Sequence, residues 1–204
     1  MSEKEEALKH LSEIKSVLID KDSFFPYNYN ALIVWGIIGM VMTVFMTSIY
    51  NSSVMWGTIF SIVMMTIGFL IEGFLTKRVN ENYDIDDCTK RQKFIMVMFT
   101  SLTLFGIAFS ALLAKGGLTI LIYLLWIFLI GFADYAVGFI LNIKLFKFTS
   151  SLKMSVAITL LVVSYFMGDL GDLNSTFHYF VQGTTFALLG VIPILVGRKL
   201  RGEV

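Results

Sequence analysis

Two acidic residues stand inside long apolar runs, and they raise the first chemical question. Asp134 lies about nine residues, or ~14 Å of helix, from the nearer end of its segment. An ionised carboxylate at that depth costs roughly 2.5–3.5 kcal/mol on membrane-insertion scales. Its i−3 and i+4 neighbours are Gly131 and Gly138, so it belongs to a small-residue face that seeks another helix. Glu72 follows Gly57, Ser61 and Gly68 on a similar face, one turn before Thr76 and Lys77. A deep carboxylate can hold a proton, bind a cation or contact a polar solute. It can equally fix helix register by bonding to a nearby Ser, Thr or Tyr, and Glu72 can pair with Lys77 or Arg78. If Asp134 and Glu72 converge on one vestibule, two like charges in a dry site make the arrangement that proton- and cation-handling sites use.

A third group lies between the last two apolar runs. Asp169, Asp172, Asn174 and His178 form a ligand or divalent-ion mouth under one reading. Under the other they make turns, with Asn174, Ser175 or Thr176 capping the following helix. The acids at Glu81, Asp84, Asp86 and Asp87 match no metal-ligand spacing and read as a solvated loop. There is no HExxH, no P-loop and no Lys expected at mid-membrane for a Schiff base. The chain is therefore read as a non-enzyme, without a cofactor or a metal site.

The elements that must hold these residues follow from composition. Hydrophobic residues make up 56% of the chain and charged residues 15%, and the mean hydropathy is +0.78. From Ser23 to Ile71 no residue is charged. About 20 apolar residues cross the hydrocarbon core as helix, so that stretch holds two spans and a tight turn. The whole chain is expected to be an all-α, six-helix transmembrane bundle (residues 23–204) with spans near 31–50, 54–76, 94–114, 118–143, 151–168 and 176–197. The fifth is the shortest, and Lys153 is expected to snorkel to complete it. Pro193 is expected to free the Leu189 carbonyl and bend the sixth.

Threaded this way, every Lys and Arg except Lys115 falls on one side. They lie in the N-terminal segment, the 77–93 loop, the 144–153 loop and the tail. Basic loops stay inside during insertion, so both termini are expected to be cytoplasmic, in a bacterial inner membrane. The lone cysteine, Cys88, then lies on the reduced side. No secretory signal is read at the start. A net charge of +1 with basic residues spread among loops gives no reason to expect a nucleic-acid partner.

Small residues at helical spacing mark packing faces. Gly36, Gly39, Thr43 and Thr47 line the first span. Gly57, Ser61 and Gly68 line the second; Thr103, Gly106 and Ser110 the third; Gly131 and Gly138 the fourth. Gly183, Gly190 and Gly197 recur every seven residues in the sixth.

Residues 1–22 differ in character. Ala7, Leu11, Ile14 and Leu18 form the apolar seam of an amphipathic helix over 3–20, whose acid-rich polar face suits anionic lipid poorly. It either packs on its own bundle or serves as a docking or self-association helix for a protein partner. Six spans in about 200 residues, both ends inside, resemble in architecture the substrate-capture subunits of energy-coupling-factor transporters, a resemblance without residue matches. The leading expectation is a membrane protein that binds or moves a small solute or ion. The alternative is a scaffold or signalling subunit that holds a partner through the 3–20 helix.

Overall fold

Short turns set the order of the helices. The structure is a computed structural model and describes residues 28–80 and 86–202. Helix α1 (Tyr29–Ser52) is separated from α2 (Val54–Asn80) by Ser53 alone. Then come α3 (Asp86–Lys115), α4 (Ile120–Ile140) and α5 (Lys144–Ser164). The sixth span is α6 (Thr176–Thr185), a π-helical turn over Phe186–Val191, and α7 (Ile192–Gly202). Among the described residues there are six helices long and apolar enough to cross a membrane, and no strand. The protein is an all-α integral membrane bundle. The expected helix at 3–20, with its docking role, lies outside the described residues, as do Glu81 and Asp84.

Local chemistry explains the ends. Asn28 caps α1, its side chain accepting from the Asn30 N–H at 3.1 Å. Gly117, with φ of +71°, supplies the left-handed residue between α3 and α4. Ser175 caps α6 by accepting from the His178 N–H at 3.1 Å, one of the three caps the sequence offers.

The fourth and fifth spans depart from the sequence reading: the fourth ends at Ile140 rather than 143, and the fifth runs Lys144–Ser164 rather than 151–168. The connection after α4 is only Leu141–Ile143, because Asn142 adopts φ of 54° and turns the chain in a single step. Helix α5 therefore starts at Lys144, and what was read as a basic 144–153 loop is its first turns. Lys153 sits nine residues inside, about 14 Å from the start. It is 2% exposed and does not snorkel. No Lys was expected at mid-membrane, yet Lys153 is buried near the middle of its helix.

Helices α1 and α4 form the centre, with α2, α3, α5 and the sixth span around them. Ile120, Ile122, Tyr123, Ile127 and Val137 of α4 are fully enclosed. Large apolar side chains on the outer faces, among them Leu70, Phe74, Leu104, Phe139 and Phe166, are exposed and suited to lipid.

Most small-residue faces do what their spacing predicts. A Cβ on Gly39 would collide with the Leu189 carbonyl oxygen, and one on Gly36 would lie 2.7 Å from that of Gly190. Gly190 itself receives Met40 from α1, and Gly138 receives Phe146 from α5. Gly183 is the exception: nothing lies within 4 Å of its Cβ position. The π turn between Gly183 and Gly197 adds a residue and rotates the helix, so the seven-residue period does not stay on one face. It is not a packing glycine. Pro193, which cannot donate to Leu189, lies just beyond this turn, and the Ile192 N–H reaches back to the Ala187 carbonyl.

Candidate functional site

Each deep acid is held by a side chain lying on a glycine one turn before it. Gly68 stands four residues before Glu72, and its Cβ position is 2.6 Å from the Trp35 ring. The missing side chain lets the indole of α1 lie across α2, where Trp35 Nε1 donates to Glu72 Oε2 at 2.8 Å. Phe69 supports the indole edge-on, with centroids 5.2 Å apart. Gly131 stands three residues before Asp134, and its Cβ position is 2.9 Å from Lys153 Cβ. Lys153 Nζ then donates to Asp134 Oδ2 at 2.6 Å.

The depths of this pair match. Asp134 lies six residues before the end of α4, about 9 Å in rather than ~14 Å, because the helix stops at Ile140. Side chains on a helix lean toward its N-terminus, so Lys153 reaches back from its deeper Cα to the level of Asp134. The partner is therefore a Lys, not the Ser, Thr or Tyr weighed from sequence. Glu72 likewise bonds to Trp35 rather than to Lys77 or Arg78.

Glu72 and Asp134 line one cavity, as the sequence reading asked. Five of the six spans contribute to its wall, α5 being the exception. Its volume is about 70 Å³, room for several waters or a small organic molecule. Trp35, Met42 and Thr43 come from α1, Phe99 and Thr103 from α3, and Trp126 and Ile130 from α4. Thr185, Leu189 and Pro193 close it from the sixth span. Of the lining residues only Glu72 and Asp134 can ionise. Trp126 is itself fixed, donating through Nε1 to Ser110 Oγ at 3.0 Å, with its ring against Gly106.

A second polar cluster, not foreseen in the sequence, closes the cavity toward the Lys115 end. The Tyr123 hydroxyl donates to the Thr43 carbonyl at 3.0 Å and shares a 2.6 Å hydrogen bond with Thr47 Oγ1. Gln182 Nε2 donates to the same carbonyl at 3.1 Å. His178 Nε2 lies 3.4 Å from the Tyr123 oxygen. These residues join α1, α4 and α6, and Tyr123, Thr47 and Thr43 are at most 2% exposed. Thr43 and Thr47, four residues apart on α1, were the available signal, though they name no partner.

The residues expected to form a mouth between α5 and α6 do not all face one way. Asp169 and Asp172 are exposed and each spends an oxygen on a turn: Gly171 N–H at 2.7 Å, Asn174 N–H at 2.9 Å. His178 is buried and turns inward to Tyr123. Among the described residues no group of three His, Cys, Asp or Glu is placed to hold a metal ion.

No family model, curated protein or solved structure matches this chain.

Proposed function

We propose that this integral membrane protein binds a small solute in the cavity between its helices and moves it across the bilayer. The observation that supports the reading most is that two carboxylates from different helices border one largely apolar space between the helices. Binding sites of this kind are concave and apolar with a few convergent polar groups. Carboxylates at membrane depth are expensive and tend to be retained for function. Glu72 supplies the polar contact and Trp35 fixes its orientation. Asp134 and Lys153 keep one wall of the site in register. The end that carries the basic residues faces the cytoplasm in this proposal, in keeping with the bias of Lys and Arg.

The test is to purify the protein in native lipid and identify low-mass molecules by mass spectrometry. A Thr103→Phe variant, which fills the cavity, serves as the comparison. A compound present with the native chain and lost from the folded variant is expected. Equal recovery from both would place binding elsewhere and remove the basis for the proposal.

A further inference from the structure

The two acids of the cavity differ in what balances their charge. Asp134 is matched by Lys153, a full positive charge at 2.6 Å that is itself shut away from the cavity. Among the described residues, Glu72 has only a neutral donor, the Trp35 N–H. No other described lining residue is charged, so among these residues an ionised Glu72 would be one uncompensated negative charge in an apolar space. That space also presents the aromatic side chains of Trp35, Trp126 and Phe99, which attract cations through their ring faces.

We infer that the solute is a small hydrophobic organic cation, exchanged one for one against a proton on Glu72. The inference rests on the solute-binding reading above and names its substrate class. In the empty cavity the Glu72 carboxyl carries its proton and the site is neutral. When a monocation enters, the O–H bond breaks, the proton leaves to water, and the carboxylate remains paired with the cation. Charge inside the bundle is the same before and after. Asp134 does not take part, because losing its charge would strand Lys153.

The bundle supplies its own reporter. Trp35 and Trp126 line the cavity, whereas Trp56, the third tryptophan, is exposed on the outer face. The probe is phenyltrimethylammonium, a quaternary cation with no proton of its own, compared with tert-butylbenzene, its neutral isostere. Full-length protein in nanodiscs is titrated with each, following tryptophan emission and proton release in weak buffer, with empty nanodiscs subtracted. The cation is expected to change the emission and to release one proton per site, while the isostere does neither. Glu72→Gln, checked for native helicity and melting, is expected to bind the cation about tenfold or more weakly and to release no proton. Glu72→Asp is expected to keep the release with weakened binding.

Three results would overturn the inference. Equal binding of both compounds, unchanged in Glu72→Gln, would refute the cation class while leaving solute binding intact. Cation binding without proton release would refute the exchange. Binding of neither compound would refute the cation class, and solute binding would fail with it only if Thr103→Phe and the native chain also yield the same low-mass molecules.

Discussion

Lys153 and Asp134 form an ion pair inside the membrane bundle, with Nζ and Oδ2 2.6 Å apart and the lysine 2% exposed. Neither charge is tolerable there alone, and together they are neutral. The pair joins α4 to α5, which pack closely against each other, and it lies against Gly131, without which the lysine would not fit.

Removing one partner of this pair is expected to be worse than removing both. Lys153→Met leaves Asp134 uncompensated, at a cost of about 3–5 kcal/mol for a broken buried pair. The double variant Asp134→Asn with Lys153→Met should recover most of that loss. Thermal unfolding of the four proteins in one detergent closes the cycle. Additive losses would mean that the two residues do not interact.

Glycine positions separate just as sharply. Gly39→Ala places a methyl group against the Leu189 backbone oxygen, which can move only by shifting the π turn. It should destabilise by about 1–3 kcal/mol, the usual scale of overpacking. Gly183→Ala meets open space and removes a helix-weakening glycine, so it should be neutral or stabilising by up to ~1 kcal/mol. Melting temperatures of the two variants check the contrast.

The Tyr123 hydroxyl ties three elements together. Tyr123→Phe leaves the Thr47 hydroxyl without its partner and takes one donor from the Thr43 carbonyl. A loss of about 1 kcal/mol is expected, within the range measured for hydrogen bonds inside membrane proteins. Adding Thr47→Val should cost less than it does alone, since both variants break the same bond.

Orientation has its own test in Cys88, the one cysteine of the chain. With the basic end inside, a membrane-impermeant maleimide should leave it unmodified in intact cells and label it in inverted vesicles. Labelling from outside would reverse the proposed topology.

Much of the architecture was legible because lipid imposes two simple constraints, a minimum apolar length and close-packed small residues. Gly131, Asp134 and Gly138 could be assigned to one face by counting alone. Lys153 could not, because a lysine near an apolar run looks the same whether it snorkels or is buried. Its position depended on Asn142 adopting a left-handed conformation, which the residue permits but does not announce. The available hint was the shortness of the uncharged stretch after Lys153, which fits a span that begins earlier. Trp35 and Glu72 were both visible, yet their bond joins separate helices and follows from no local pattern. Gly183 was misjudged because a π turn changes the phase of the helix, and Pro193 marks a disturbance without saying which kind.

The two acids of the cavity differ in whether they carry a proton, and a carbodiimide reads that difference directly. Dicyclohexylcarbodiimide enters apolar membrane sites and adds to a carboxyl that carries a proton, leaving a stable acylurea that peptide mass spectrometry can locate. Labelling of the native protein in lipid is expected at Glu72, to be suppressed by phenyltrimethylammonium, and to be absent at Asp134. Modification of Asp134, or a Glu72 that stays unlabelled in the empty protein, would contradict the assignment of Glu72 as the exchanging group.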